Sequence, residues 1–139
     1  IRILGNKKIK NIKISTAPYP GFPTDLQAQL MVLLCKANGR SEIIENIFEN
    51  RFMHVAELRR LGAKININRN QATVEGNTKF IGAELMSSDL RASVSLVLAA
   101  MVSQGKSLIN RIYHLDRGYE GIENKLKKIG VKIRRQKNG

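Results

Sequence analysis

Asp25, which follows the turn YPGFPT, and the arginines Arg51 and Arg117 are the residues whose types and spacing could do chemistry. Thr24 and Gln27 have the spacing of a capping box, which would satisfy orphan N–H groups at the start of the helix that follows. Asp25 is then spare. At the first helical position it is favoured in its ionised form by the helix dipole and faces whatever lies in front of the helix end. Arg51 and Arg117 each fall between a strand and the start of an amphipathic helix, at equivalent places in two related stretches of chain. A guanidinium group grips carboxylate or phosphate through two parallel hydrogen bonds, so the two arginines could converge on one anion. A merely solvated arginine at such a place would sit at the unfavourable end of a helix dipole, and the anion site is the better reading.

Asp89 and Arg91 open a second helix in the way Asp25 opens the first, although an aspartate at a helix start is often only structural. His54 and His114 lack the spacing with Cys or acidic residues that a metal site needs, so both are read as structural and no metal is expected. Cys35 lies inside an apolar helix, where a thiol is usually inert.

The elements that must position these residues come as one unit used twice. Thr24, Asp25 and Leu26 align with Ser88, Asp89 and Leu90, Gly39 with Gly105, Ile43 with Ile109, and Arg51 with Arg117. After a two-residue difference in length, Leu58, Leu61, Gly62 and Ile65 meet Leu126, Ile129, Gly130 and Ile133. Each unit opens with a nearly all-apolar helix, 25–37 and 89–103, expected to be buried on all sides. A strand follows (SEIIENI; SLINRIY), then an amphipathic helix whose stripe is Phe52, Val55, Leu58 and Leu61 or Tyr119, Ile122, Leu126 and Ile129. Gly62 and Gly130 are expected to end these helices, and the alternating stretches AKININ and VKIRR to form strands, with QATVEG and AELMS continuing the first unit. IRIL and NIKIS read as strands at the start of the chain. The fold class is α/β, with helices covering one face of a sheet.

A chain of 139 residues with 42% apolar content builds about one core. Its longest apolar run, 92–102, is interrupted by Ser93 and Ser95 and is well short of the roughly 20 residues that span a bilayer, so no membrane role is expected. One cysteine excludes an internal disulfide and fits a reducing compartment. The net charge of +13 invites a nucleic-acid partner, but the basic residues are spread along the chain and few aromatics are available for base stacking. A solvated basic surface or a site for small phosphorylated anions accounts for the charge better. The chain begins on Ile1 without a methionine, in what looks like the middle of a sheet, so a piece of a longer protein is expected.

Four blocks, TAPYPGFPTDLQAQ, FENRFMHV, SSDLRASVSLVLA and IYHLDRGYEGIENKL, in this order and spacing resemble the C-terminal part of the UDP-N-acetylglucosamine 1-carboxyvinyltransferase family. The resemblance covers essentially the whole chain. It implies the enolpyruvyl-transferase fold, an inside-out α/β barrel in which two similar lobes each contain three repeated units with sheets outside and helices inside. Residues 1–139 would be a partial C-terminal lobe, with 1–22 ending a preceding unit and 23–86 and 87–139 each forming a repeat unit. The implied activity is transfer of the enolpyruvyl group of phosphoenolpyruvate to the 3-hydroxyl of UDP-N-acetylglucosamine with release of phosphate. This is the first committed step of peptidoglycan synthesis, cytoplasmic and without a cofactor.

The resemblance also assigns roles. Asp25 would contact the sugar hydroxyl and act as general base, the backbone of Ile47 would contact the UDP-sugar, and Arg51 and Arg117 would hold phosphoenolpyruvate, with Asp89 and Arg91 in support. The family's catalytic Cys loop and its phosphoenolpyruvate-binding lysine belong to the other lobe and the lobe junction, and no stretch here matches either. The chain alone is therefore expected to be inactive, and its uncovered apolar helices to promote self-association. Two alternatives remain: the sibling enolpyruvyl transferase of the shikimate pathway, which shares the fold, and a nonenzymatic basic nucleic-acid-binding module. FENRFMH and DLRAS favour the UDP-sugar branch, and a nucleic-acid module has no need of Asp25, Arg51 and Arg117.

Overall fold

The computed structural model describes residues 2, 4–5 and 8–136. Strand β1 (Lys13–Ser15) leads through a proline-rich turn into a 3-10 turn (Thr24–Leu26) and helix α1 (Gln27–Leu34). Then come β2 (Arg40–Ile44), α2 (His54–Arg60), and the strands β3 (Ile65–Asn68) and β4 (Gln71–Glu75). The second half holds β5 (Glu84–Met86), α3 (Leu90–Met101), β6 (Leu108–Asn110), α4 (Tyr113–Asp116) and α5 (Ile122–Lys127).

Alternation decides the strands. In β2 and just beyond it, Ser41, Ile43 and Glu45 point inward, and in β4 Ala72 and Val74 do the same. The sheet order is β1-β2-β4-β3, with β1 parallel to β2 (Ile14 beside Ile43) and β4 antiparallel to both β2 and β3. A second sheet pairs β5 with β6 in parallel, Leu85 beside Ile109. Helices α1 and α3 pack against each other. The main core joins Met31, Leu34, Ile43, Leu58, Val74 and Leu96, and a smaller one joins Val94, Val97, Leu115 and Ile122.

The repeat is visible in the backbone. β1-α1-β2 and β5-α3-β6 are both parallel strand-helix-strand units, and Thr16 N donates to Ile44 O at 2.9 Å where Ser87 N donates to Asn110 O at 3.1 Å. The turn before the second strand needs a left-handed residue in both units, supplied by Gly39 (φ 89) and Gly105 (φ 87). Gly62 (φ 98) and Gly130 (φ 91) likewise follow α2 and α5 as C-cap glycines. The repeat thus extends one strand upstream of each apolar helix.

Several expectations differ from what the chain does. The capping box does not form: the segment opens as a 3-10 turn with no side-chain cap, Thr24 Oγ1 instead donates to Glu45 Oε2 at 2.9 Å, and Gln27 is 2% exposed with its Nε2 unpaired. A buried carboxylate is a stronger acceptor for the threonine hydroxyl than anything local. Both apolar helices are shorter than expected; α1 is not buried on all sides, with Leu33 49% exposed, while α3 is buried all round from Ala92 to Val97 and half-buried at Leu98, Ala100 and Met101. α1 packs on α3 and on strands β2 and β4, whereas α3 packs on α1, α2 and α4.

VKIRR forms no strand. Its counterpart β3 is held by its hairpin partner β4, and no equivalent of β4 follows among the described residues. The stripe of α5 is correspondingly incomplete, with Ile122 buried but Ile129 72% exposed. Of IRIL, Ile1 and Ile3 lie outside the described residues, and Arg2 and Leu4 are in no strand.

Candidate functional site

The inward phase of β2 continues past the strand, so its last inward position carries a carboxylate at the base of the loop 45–53. Glu45 is 3% exposed, and four donors converge on it. Oε1 accepts from Thr16 Oγ1 (2.8 Å) and from the N–H groups of Ile47 (2.9 Å) and Phe48 (3.2 Å), and Oε2 accepts from Thr24 Oγ1 (2.9 Å). One side chain thereby fastens the end of β1, the turn that carries Asp25 and the loop that carries Ile47 and Arg51.

Because α1 and α3 pack side by side, the two helix starts meet. Arg91 Nε donates to Asp25 Oδ1 at 2.5 Å across 66 residues of sequence. That hydrogen bond outweighs the opposing effect of burial and, with the charges of Arg91 and Arg51 adding to it, holds the Asp25 carboxyl below the ordinary carboxylate range. Arg91 is raised in turn, first by its bond to Asp25. Asp89 caps α3: its Oδ1 accepts from the N–H groups of Arg91 and Ala92, both at 2.9 Å.

A cavity of about 360 Å³ opens between the starts of the three helices, lined among others by Thr24, Gln27, Arg51, His54, Asp89 and Arg91. The Arg51 guanidinium lies 4.2 Å from the centroid of the Phe48 ring, and Arg51 also lines a second cavity of about 540 Å³ with Phe48, Phe52 and Arg69. His54 is 3% exposed and hydrogen-bonds the Arg51 backbone. Burial pushes its pKa down to about 4, so the ring is neutral at pH 7 and braces the turn that presents Arg51.

The structure thus brings Asp25, Arg51, Asp89 and Arg91 together. Ile47 is half-buried in the loop rather than in a strand, its N–H taken by Glu45, and it is not in the lining of either cavity. Arg117 is exposed at the C-terminal end of α4, lines neither cavity, and its side chain forms no hydrogen bond or ion pair among the described residues. Its neighbour Gly118 lies so close to Leu90 that a Cβ there would come within 2.9 Å of the leucine Cδ1, which sets the Arg117 turn beside the start of α3. The adjacent Asp116 is gripped by Arg135, rather than by Arg117, through bonds of 2.8 and 2.7 Å. Among the described residues no group of three or more His, Cys, Asp or Glu is placed to hold a metal ion, and no helix is long and apolar enough to cross a membrane.

The family model for EPSP synthase (3-phosphoshikimate 1-carboxyvinyltransferase) matches residues 1–126. The chain belongs to the EPSP synthase family. Within and around that family, it is 76% identical over 97% of its length to a protein of Pelagibacter ubique named UDP-N-acetylglucosamine 1-carboxyvinyltransferase. A protein of the same name from Thermodesulfovibrio yellowstonii is 56% identical over 99% of the chain. The chain spans about a third of the length of these curated relatives, 32% and 33% respectively. Among solved structures, the enolpyruvyl transferase NikO from Streptomyces tendae superposes with a TM-score of 0.85 at 31% identity, over 92% of this chain and 30% of that one. The α/β enolpyruvyl-transferase lobe expected from the sequence is therefore the fold of this EPSP synthase family member.

Two features of the site escaped sequence reasoning. Glu45 had a signal, since the alternation in SEIIE puts it on the buried face. The Asp25–Arg91 pair had only an indirect one: it joins the starts of two repeated helices, and pairing them requires knowing that those helices pack together.

Proposed function

We propose that this chain is part of the C-terminal lobe of an enzyme that transfers the enolpyruvyl group of phosphoenolpyruvate to the 3-hydroxyl of UDP-N-acetylglucosamine in peptidoglycan synthesis, in the cytoplasm. The observation that carries this reading is the 76% identity, over 97% of the chain, to a relative of that name. Units at 23–86 and 87–139, with 1–22 ending a preceding unit, divide the lobe, and these bounds leave β1 and β5, the parallel strands before the two apolar helices, at the ends of the preceding units.

Asp25 is the general base. Its Oδ1 is occupied by Arg91, whereas Oδ2 has no hydrogen bond among the described residues and is the atom to receive the proton of the attacking hydroxyl. Its lowered pKa makes it a weak base that is always ionised, so its contribution comes from placement. Arg51 and Arg117 hold phosphoenolpyruvate, the backbone of Ile47 meets the UDP-sugar, and Asp89 and Arg91 support by capping α3 and fixing Asp25. Arg117 lies outside the cavity that Arg51 lines, so this role requires the two arginines to approach the anion from separate sides, Arg117 with its guanidinium uncommitted. The catalytic Cys and a phosphoenolpyruvate-binding Lys come from the other lobe and the lobe junction, and no cofactor takes part.

The reading is tested by a chimera in which this chain replaces the matching third of the Pelagibacter relative. Phosphate release that depends on both substrates is expected from the chimera, and none above a no-protein blank from the chain alone. Release with shikimate 3-phosphate in place of the UDP-sugar would support the sibling branch instead.

A further inference from the structure

We infer that Glu45 is a positioning residue for the proposed reaction, setting the distance between the Asp25 carboxylate and the loop that presents Ile47 and Arg51. The inference rests on the functional reading above, which supplies the roles of those three residues. Its own basis is the hydrogen-bond geometry. Oε2 holds Thr24, the immediate neighbour of Asp25, while Oε1 holds the N–H groups of Ile47 and Phe48, four and three residues before Arg51. The same Oε1 is anchored to the end of β1 through Thr16 Oγ1, whose oxygen also accepts from the Asn46 N–H at 2.9 Å. The carboxylate is 3% exposed, so water does not compete for these bonds, and a buried acceptor deprived of its donors is costly. The two halves of the site therefore move together.

The second unit shows that the fold has no need of this carboxylate. Counted from the matched glycines Gly39 and Gly105, the place of Glu45 is taken by Arg111, which is exposed and has φ 58. Yet Ser87 N still bonds Asn110 O, as Thr16 N bonds Ile44 O. A strand end of the same build forms without a buried acid. What the first unit gains from Glu45 is a link between a turn and a loop, and it is these that carry the residues proposed to meet substrate.

The test uses the chimera described above, with Glu45→Ala, Glu45→Gln and Thr24→Val introduced singly and Glu45→Gln with Thr24→Val together. Glu45→Ala frees both the turn and the loop, so kcat falls on the order of 100-fold and KM for the UDP-sugar rises. Thr24→Val frees only the turn and lowers kcat with KM nearly unchanged. Glu45→Gln keeps an acceptor at Oε1 for Thr16 and the loop N–H groups, and the Thr24 hydroxyl can turn to accept from its amide, so it retains most of the activity of the parent chimera. Thr24→Val with Glu45→Gln loses more kcat than the two single losses combined, because the buried amide N–H then faces a valine and has no partner. Folded Glu45→Ala and Thr24→Val variants with parental kcat and KM overturn the inference.

A silent parent chimera would count against the functional reading, and positioning is then read in the chain itself by amide hydrogen exchange. Glu45→Ala should speed exchange at Ile47 and Phe48 and shift the Asp25 carboxyl resonance. Unchanged exchange and an unmoved resonance overturn it.

Discussion

Asp25 is the residue on which the proposed chemistry turns, and its bond to Arg91 both fixes the carboxylate and lowers its proton affinity. A carboxyl whose pKa is depressed stays ionised until the pH falls through the lowered value, so Asp25 should impose no acid limb on kcat above about pH 4. In the chimera, Asp25→Asn preserves shape but removes the base, and kcat should fall roughly 100-fold or more. Arg117→Lys exchanges a planar fork for a point charge and should raise KM for phosphoenolpyruvate. Parental kinetics in both variants would contradict the assignment. His54 makes a separate prediction about stability. An unfolded histidine titrates near 6.5, whereas burial takes His54 to about 4. Between these values the unfolded chain binds the extra proton, so stability rises with pH across this window and is lost as the pH falls through it, by roughly 3 kcal/mol in all. An NMR titration of the ring should place its midpoint near 4, and a midpoint near 6.5 would contradict the buried, neutral assignment.

At the scale of the element, the repeat was legible because its glycines and aspartates recur in the same order, and the observed positive φ values at Gly39, Gly105, Gly62 and Gly130 agree with that reading. Helix starts were less legible. Thr24 and Gln27 have capping-box spacing, yet a buried acid from another element takes Thr24, while Asp89 in the second unit caps its own helix. Long-range acceptors override local rules where burial strengthens them. Asp89→Ala should therefore cost about 1 kcal/mol of stability. Gln27→Leu, which removes an unpaired buried amide, should be neutral or stabilising in urea denaturation. A loss of 1 kcal/mol or so from Gln27→Leu would restore the capping box. The strand expected at VKIRR shows the other limit of sequence patterning: alternation makes a segment competent for a sheet, but a partner strand decides whether it joins one.

At the scale of the molecule, the chain carries a packed core beside apolar surface that the described residues do not cover. Leu33 within α1, and Leu26 and Val102 beside the apolar helices, are each about half exposed. Each large aliphatic side chain left in water forgoes roughly 1.5 to 3 kcal/mol of burial. Sedimentation over a range of concentrations should show self-association of the isolated chain, whereas a strictly monomeric species that binds no hydrophobic dye would show that these units close their own core. The central claim, that the chain supplies the Asp25 half of an enolpyruvyl-transfer site, is tested most directly by phosphate release from the chimera. The account predicts release that requires both phosphoenolpyruvate and UDP-N-acetylglucosamine and is lost on Asp25→Asn. A chimera that folds, binds both substrates and releases no phosphate, or one that loses nothing on Asp25→Asn, would contradict it.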